Sequence, residues 1–409
     1  MTEHIPESSP LTFGQRVRRL RERNGQTRAV LGGLVGRSQE WVKFIESGRL
    51  QMPRLPLLLR LADALGVEDM SDLTGDERLA AASYTKAAHD ALPTVKDALT
   101  SYTFGREADE APTAAELIER VRQTWQLWHG NRDHRSRVAA VLPGLLSDLQ
   151  HAARTLQGDD RRRALAALAE TYHLTQLYLS FQPTPELVTL TGDRSMSAAQ
   201  DADDPHAIAV AAWYLNHVFR DAGERHEARV DLAMRAADLL RPDNGPEDLA
   251  RWGLLQLAAA LSYAKIGRAG DAWRYWDRAE DAAQRLGDRY AHPWLMFGRG
   301  MVDAYAITMN NDLMKPGAAL EVAERIDLAP MPSATRRSFH LIESARAHSM
   351  KAESVATVHL LRKAYHESPE TARYNLFTRS AVSELSTAGS AMIRDDVRNL
   401  ARKIGVQAA

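Results

Sequence analysis

The chain has 409 residues, 44% hydrophobic and 26% charged, with 52 Lys and Arg against 53 Asp and Glu, the proportions of an ordinary soluble protein. It has no cysteine, which excludes disulfides, zinc–cysteine sites and thiol catalysis. Residues 1–10 lack the basic and apolar regions of a signal peptide, and no apolar run approaches the ~18 residues of a membrane span, so a cytoplasmic chain with no membrane partner is expected.

In chain order, residues 1–10 predict a disordered tail. Phe13, Val17 and Leu20 then recur at helical spacing in the basic run from Arg16 to Arg23. Thr27 is a good N-cap, and Ala29, Val30, Leu31, Leu34 and Val35 are expected on the buried side of a first short helix. Gly36 ends it where a left-handed residue is cheapest. Ser38 caps a second helix whose Val42 and Ile45 face inward, and Gly48 stops it. Leu55, Leu58, Leu59, Leu61, Ala62 and Leu65 make a further amphipathic helix. Helix, glycine turn and capped helix is the layout of the helix-turn-helix motif, whose second helix lies in the major groove of DNA.

Charge points the same way. From Leu11 to Arg60 there are 11 Arg and Lys against three Glu, a net +8, while the whole chain sums to −1. A basic segment in an otherwise net acidic chain is the footprint of phosphate contact. On these residues, 12–75 resemble the lambda-repressor-like, XRE-family DNA-binding domain, with Ser38-Gln39 opening the reading helix and Ile45-Glu46-Ser47-Gly48 closing it. Gly32-Gly33 departs from the pattern and costs about 1 kcal/mol per Gly relative to Ala; Gly32 has an explanation in close helix packing, Gly33 has none.

A helical connector is expected over 76–112, interrupted at Pro93. From residue 113 the chain reads as helix after helix: 114–129 with 135–156, 161–181 with 184–200, 205–222 with 224–240, 249–266 with 269–286, 293–309 with 316–326, and 334–350 with 353–367, capped by 371–388 and 393–404. The breaks at Gln182, Gly223, Gly267, Asn311 and Lys351 are 41, 44, 44 and 40 residues apart. Such a period predicts stacked helical hairpins. The expected fold is all-α, a lambda-repressor-like helix-turn-helix domain (11–75) followed by a tetratricopeptide-like α-solenoid (113–409).

Taken whole, the chain resembles actinobacterial regulators that join an XRE-type head to a tetratricopeptide-like body. The stretches that carry this are Thr191-Gly-Asp-Arg-Ser-Met-Ser-Ala-Ala-Gln200, Trp294-Leu-Met-Phe-Gly298 and Glu367-Ser-Pro-Glu-Thr-Ala-Arg373. The resemblance implies regulated binding to double-stranded DNA, a homodimer, and sensing of a peptide or small-molecule effector. It places base contacts at Gln39, Glu40, Lys43 and Phe44, whose side chains suit adenine, cytosine, guanine and the thymine methyl respectively. Thr27, Arg28, Arg37, Ser38, Arg49 and Arg54 are candidates for phosphate contact, or, for the arginines, solvated surface groups. Trp41 either packs on the sugar-phosphate backbone or braces the preceding helix.

In the body, Trp213, Asn216, Arg220, Trp252, Trp294, Arg299 and Asn310 fall on the first helices of successive hairpins. They are either walls of a ligand groove or core and stacking residues; Trp125, Trp128, Trp273 and Trp276 read as packing between helices. His129 and His134 flank a turn, and His340 with Glu343 read as a surface pair. No enzyme motif and no cofactor or metal site is found. The competing reading is an adaptor whose repeats bind a partner protein, the head making only auxiliary DNA contact.

Overall fold

The computed structural model describes residues 11–53, 55–75, 86–102, 112–222, 226–328 and 331–406, and only the backbone of 219–222 and 388. The expected tail over 1–10, Arg54, Gly223 and the acidic stretch at 105–111 lie outside the described residues. All regular structure among the described residues is helical, and no helix among them is long and apolar enough to cross a membrane.

The head consists of α1 (Phe13–Arg23), α2 (Arg28–Leu34), α3 (Gln39–Glu46), α4 (Leu55–Leu65) and α5 (Met70–Thr74). Its starts are set by side-chain caps. Thr12 and Gln15 form a capping box on α1, Thr27 accepts from Val30 N–H, and Ser38 accepts from Trp41 N–H. Gly36 takes the left-handed conformation (φ 67°) between α2 and α3. Val17, Leu31, Val35, Val42, Ile45, Leu58, Leu61 and Leu65 form the core, each worth about 1.5–3 kcal/mol when fully buried. Ala29, Val30 and Leu34, expected inside, are exposed, as is Leu59. A helix of seven residues has one narrow inward face, and Leu31 fills it.

Pro93 does not interrupt the connector: it lies in the first turn of α6 (Leu92–Thr100), where a missing N–H costs nothing. Leu92, Val95 and Leu99 join the body's core, so that core takes in residues ahead of 113. Six hairpins follow: α7 (Ala114–Gly130) with α8 (His134–Thr155), α9 (Gly158–Leu179) with α10 (Pro185–Asp201), α11 (Pro205–Ala222) with α12 (His226–Ala237), α13 (Pro246–Lys265) with α14 (Ala269–Leu286), α15 (Arg299–Asp312) with α16 (Pro316–Arg325), and α17 (Ala334–Met350) with α18 (Ser354–Glu367). Last come α19 (Pro369–Tyr374), α20 (Leu376–Ala388) and α21 (Arg394–Ile404).

Two helices differ from expectation. The one expected over 293–309 starts at Arg299, because 293–298 fold into a buried loop closed by His292 N–H donating to Phe297 O (2.9 Å). The one expected over 371–388 breaks at Asn375, whose side chain caps Thr378 N–H at 3.0 Å.

The first helices α7, α9, α11, α13, α15 and α17 stack in succession, and α17 returns against α7. The row therefore closes into a ring. His129 Nδ1 meets Ser333 Oγ at 2.8 Å across the closure, and the Arg135 N–H donates to Glu370 at 2.5 Å beside it. Inside the ring, Trp125 stacks on Trp294 (4.9 Å between ring centres) and His173 on Tyr214 (4.6 Å). The concave face is packed by its own aromatic side chains.

Candidate nucleic-acid interface

The helix-turn-helix unit is held from within by Glu46 at the end of α3. Its carboxylate is almost fully buried and takes Arg21 Nε of α1 at 2.5 Å and Arg28 Nε of α2 at 2.7 Å. The Arg21 guanidinium, raised above its ordinary pKa chiefly by its hydrogen bond to Glu46, also donates to Gln26 O at 2.8 Å. One acid thus locks three helices. The sequence carries the signal for it, a Glu on the inward stripe of α3 beside Val42 and Ile45, but gives Glu46 no partner and Arg28 only a phosphate or solvent.

Gln39 and Lys43 are exposed on α3, with Glu40 between them and 3.2 Å from Lys43 Nζ. They border an open cleft whose other wall is Arg18, Arg21, Glu22, Thr27, Arg28 and Ala29, with Arg18 paired to Glu22 at 2.9 Å. Basic side chains from three helices therefore surround the start of α3, with Thr27 and Ser38 spent as helix caps. Phe44 and Trp41 do not share this exposure: they are 6% and 8% exposed and belong to the head's apolar cluster. Trp41 is thus a bracing residue in this arrangement, and Phe44 is covered where a base-reading side chain would be open. Arg49 lies over the Phe44 ring at 5.3 Å, and Arg37 donates to Gly36 O. Arg54 lies outside the described residues.

The body's candidates do not assemble into one groove. Trp213 and Asn216 are buried, the Asn216 amide donating to Arg229 O (2.9 Å) and accepting from Ser262 Oγ (3.0 Å). Asn310 is buried and donates to Ala306 O in its own helix. Trp252 packs half-buried against the core, and Arg299 is exposed and paired with Asp288. Trp294 sits on the 293–298 loop rather than a helix, and the Arg220 side chain lies outside the described residues. Their partners are core and surface groups, because ring closure turns the first helices inward. Trp125 and Trp128 are buried, Trp125 against Trp294 of the 293–298 loop, and Trp273 packs edge-on to Trp276 of its own helix, the Trp276 indole N–H donating to Val302 O at 3.1 Å. His340 and Glu343, expected at the surface, are buried.

Residues 12–73 match the model of a helix-turn-helix domain family. No curated protein matches the chain. Among solved structures, the chain is similar to a signal transduction ATPase with numerous domains that carries a tetratricopeptide repeat sensor, from Pyrococcus horikoshii, at 12% identity and a TM-score of 0.41. The match covers 98% of this chain and 66% of that one, so the chain spans just under two thirds of that structure's length.

Proposed function

We propose that the protein is a sequence-specific, double-stranded-DNA-binding transcriptional regulator of the XRE type, of the kind actinobacteria carry, working in the cytoplasm as a homodimer and without catalysis of its own. The observation that carries this reading is the helix-turn-helix head with Gln39 and Lys43 exposed beside Arg18 and Arg28. Gln suits adenine and Lys suits guanine acceptors, while the arginines suit flanking phosphates. The body supplies the dimer contact, since heads of this type pair on two half-sites, and it carries the response to a peptide or small-molecule signal.

A gel shift with genomic fragments followed by footprinting tests it. Gln39→Ala and Lys43→Ala should each lose about 1–3 kcal/mol of discrimination for the protected site while the fold is kept. Arg18→Ala should weaken all sequences alike and flatten the salt dependence. Footprints identical to wild type in both reading-helix variants sink the assignment, and absence of any sequence preference favours the adaptor reading. Light scattering at micromolar concentration reads the dimer directly.

A further inference from the structure

We infer that the body is a docking surface for the reading helix and that docked heads are shut off from DNA; this rests on the DNA-binding reading above. Three hairpin turns and one outer helix of the body lie along the head. The first is Gly267, between α13 and α14. A Cβ there would lie 2.4 Å from Cβ of Ser38, the N-cap of α3, and the glycine has φ +81°. The backbone of the body is thus in contact with the very start of the reading helix. The second and third are Met314, after α15, and Met350, at the end of α17: both belong to the apolar cluster that contains Trp41 and Phe44 of α3. Gln51, just past the motif, hydrogen-bonds Glu384 of α20.

The contact covers the N-terminal end of the reading helix, although Gln39 and Lys43 themselves stay exposed. The residues at the N-terminus of a reading helix are those that approach base edges. The major groove is about 12 Å wide, and a helix with its side chains fills about 10–12 Å. No room remains for a second backbone against Ser38. Trp41 and Phe44, on the flank of α3, are buried in the apolar cluster that Met314 and Met350 of the body join. Opening the dock is the step any signal to this protein must drive, because a ligand moves the equilibrium only through its preference for one of the two arrangements.

The test uses the full chain. Met350→Lys with Glu384→Ala removes contacts on the body side and leaves the DNA-facing residues untouched. Its affinity for DNA should rise at least about tenfold over wild type, since the competent fraction sets the apparent affinity. As the chain has no cysteine, Ser38→Cys supplies a unique maleimide target, whose labelling should accelerate by a similar factor in the released background. Equal labelling and equal DNA affinity with and without the release substitutions overturn the dock. Faster labelling with no DNA binding by either protein keeps the dock and removes the DNA-binding reading instead. Should the release variant fail to fold, Gln51→Cys with Glu384→Cys, joined by a cleavable bis-maleimide, reads the same question. DNA binding should be lost on linking and return on cleavage; full binding by the linked protein overturns the inference.

Discussion

Gly32 and Gly33 are adjacent in α2, yet only one of them is needed there. A Cβ on Gly32 would meet Arg37 O at 2.8 Å and the Ser38 carbonyl at 3.0 Å, so the turn into the reading helix passes where a side chain would stand. A Cβ on Gly33 would meet nothing within 4 Å. Gly33→Ala should therefore stabilise α2 by up to about 1 kcal/mol through helix propensity. Gly32→Ala should destabilise it by about 1–3 kcal/mol through overpacking. Hydrogen exchange of the α2 amides reads both, because it reports local opening rather than unfolding of the whole chain. Slower exchange in both variants would contradict the close approach at Gly32. The same residue-by-residue logic explains why Glu46 escaped a partner on sequence grounds: helical spacing places it inward, but only the fold brings Arg21, 25 positions away, to meet it.

At the scale of elements, the closure of the ring is tied by α19 against the start of α8. Glu370 accepts from the backbone N–H groups of Arg135 (2.5 Å) and Ser136 (3.3 Å) and from Ser136 Oγ (2.5 Å). Burial disfavours its charge, yet donors from His89 and Ser136 and the Arg135 N–H hold the carboxyl down at about 2. A carboxylate on the free N–H groups of a helix start is favoured by the helix dipole as well. Glu370→Gln should cost about 1–3 kcal/mol and speed exchange of the first amides of α8; unchanged exchange there would remove the tie. None of this was legible from the sequence, since a Glu in the first turn of a short helix reads only as an ordinary dipole partner. What was legible follows periodicity. All six hairpins were found, and the turn at Gly267 was read from its glycine. The turns near Met314 (φ 58°) and Ala352 (φ 61°) adopt the same left-handed backbone without one, at a cost of about 1–2 kcal/mol, so their place came from spacing and not from turn chemistry. The 293–298 loop was misread as helix because Trp294, Leu295, Met296 and Phe297 are apolar enough for one. The expected ligand groove failed for a related reason: helical spacing says which residues share a face, and not that the row of helices closes and packs that face on itself.

For the whole molecule, the packed ring sets a pH dependence. His129, His134, His173 and His340 are buried in or beside it, and burial pushes each imidazole down to about 3, aided at His129 and His340 by the Arg336 charge and at His134 by Arg135. Glu170 shares this interior, and burial pushes its carboxyl up to about 8 against the pull of Arg251. The two kinds of shift oppose each other. Below the ordinary His value of about 6.5 the unfolded chain takes up to four protons that the folded ring refuses, so stability falls as pH drops toward 3. Between about 4.5 and 8 the folded chain instead keeps one proton on Glu170 that the unfolded chain releases, so that group lowers stability as pH rises through this window. The four histidines outweigh the one carboxyl below about pH 7, where a quarter of each unfolded imidazole is protonated, and the carboxyl prevails above. Maximum stability is therefore expected near pH 7. On the acid side the slope is at least about 4 kcal/mol per pH unit, from a net of three protons at about 1.4 kcal/mol each, and His226 and His292, also held down by burial, add to it. Thermal melts between pH 5 and 8 check it. His173→Gln should flatten the acid limb by one proton, and Glu170→Gln should remove the fall above pH 7 while leaving the acid limb in place. A melting temperature that keeps rising down to pH 5 would mean that the histidines are charged in the fold, and the ring would then have to be open to water.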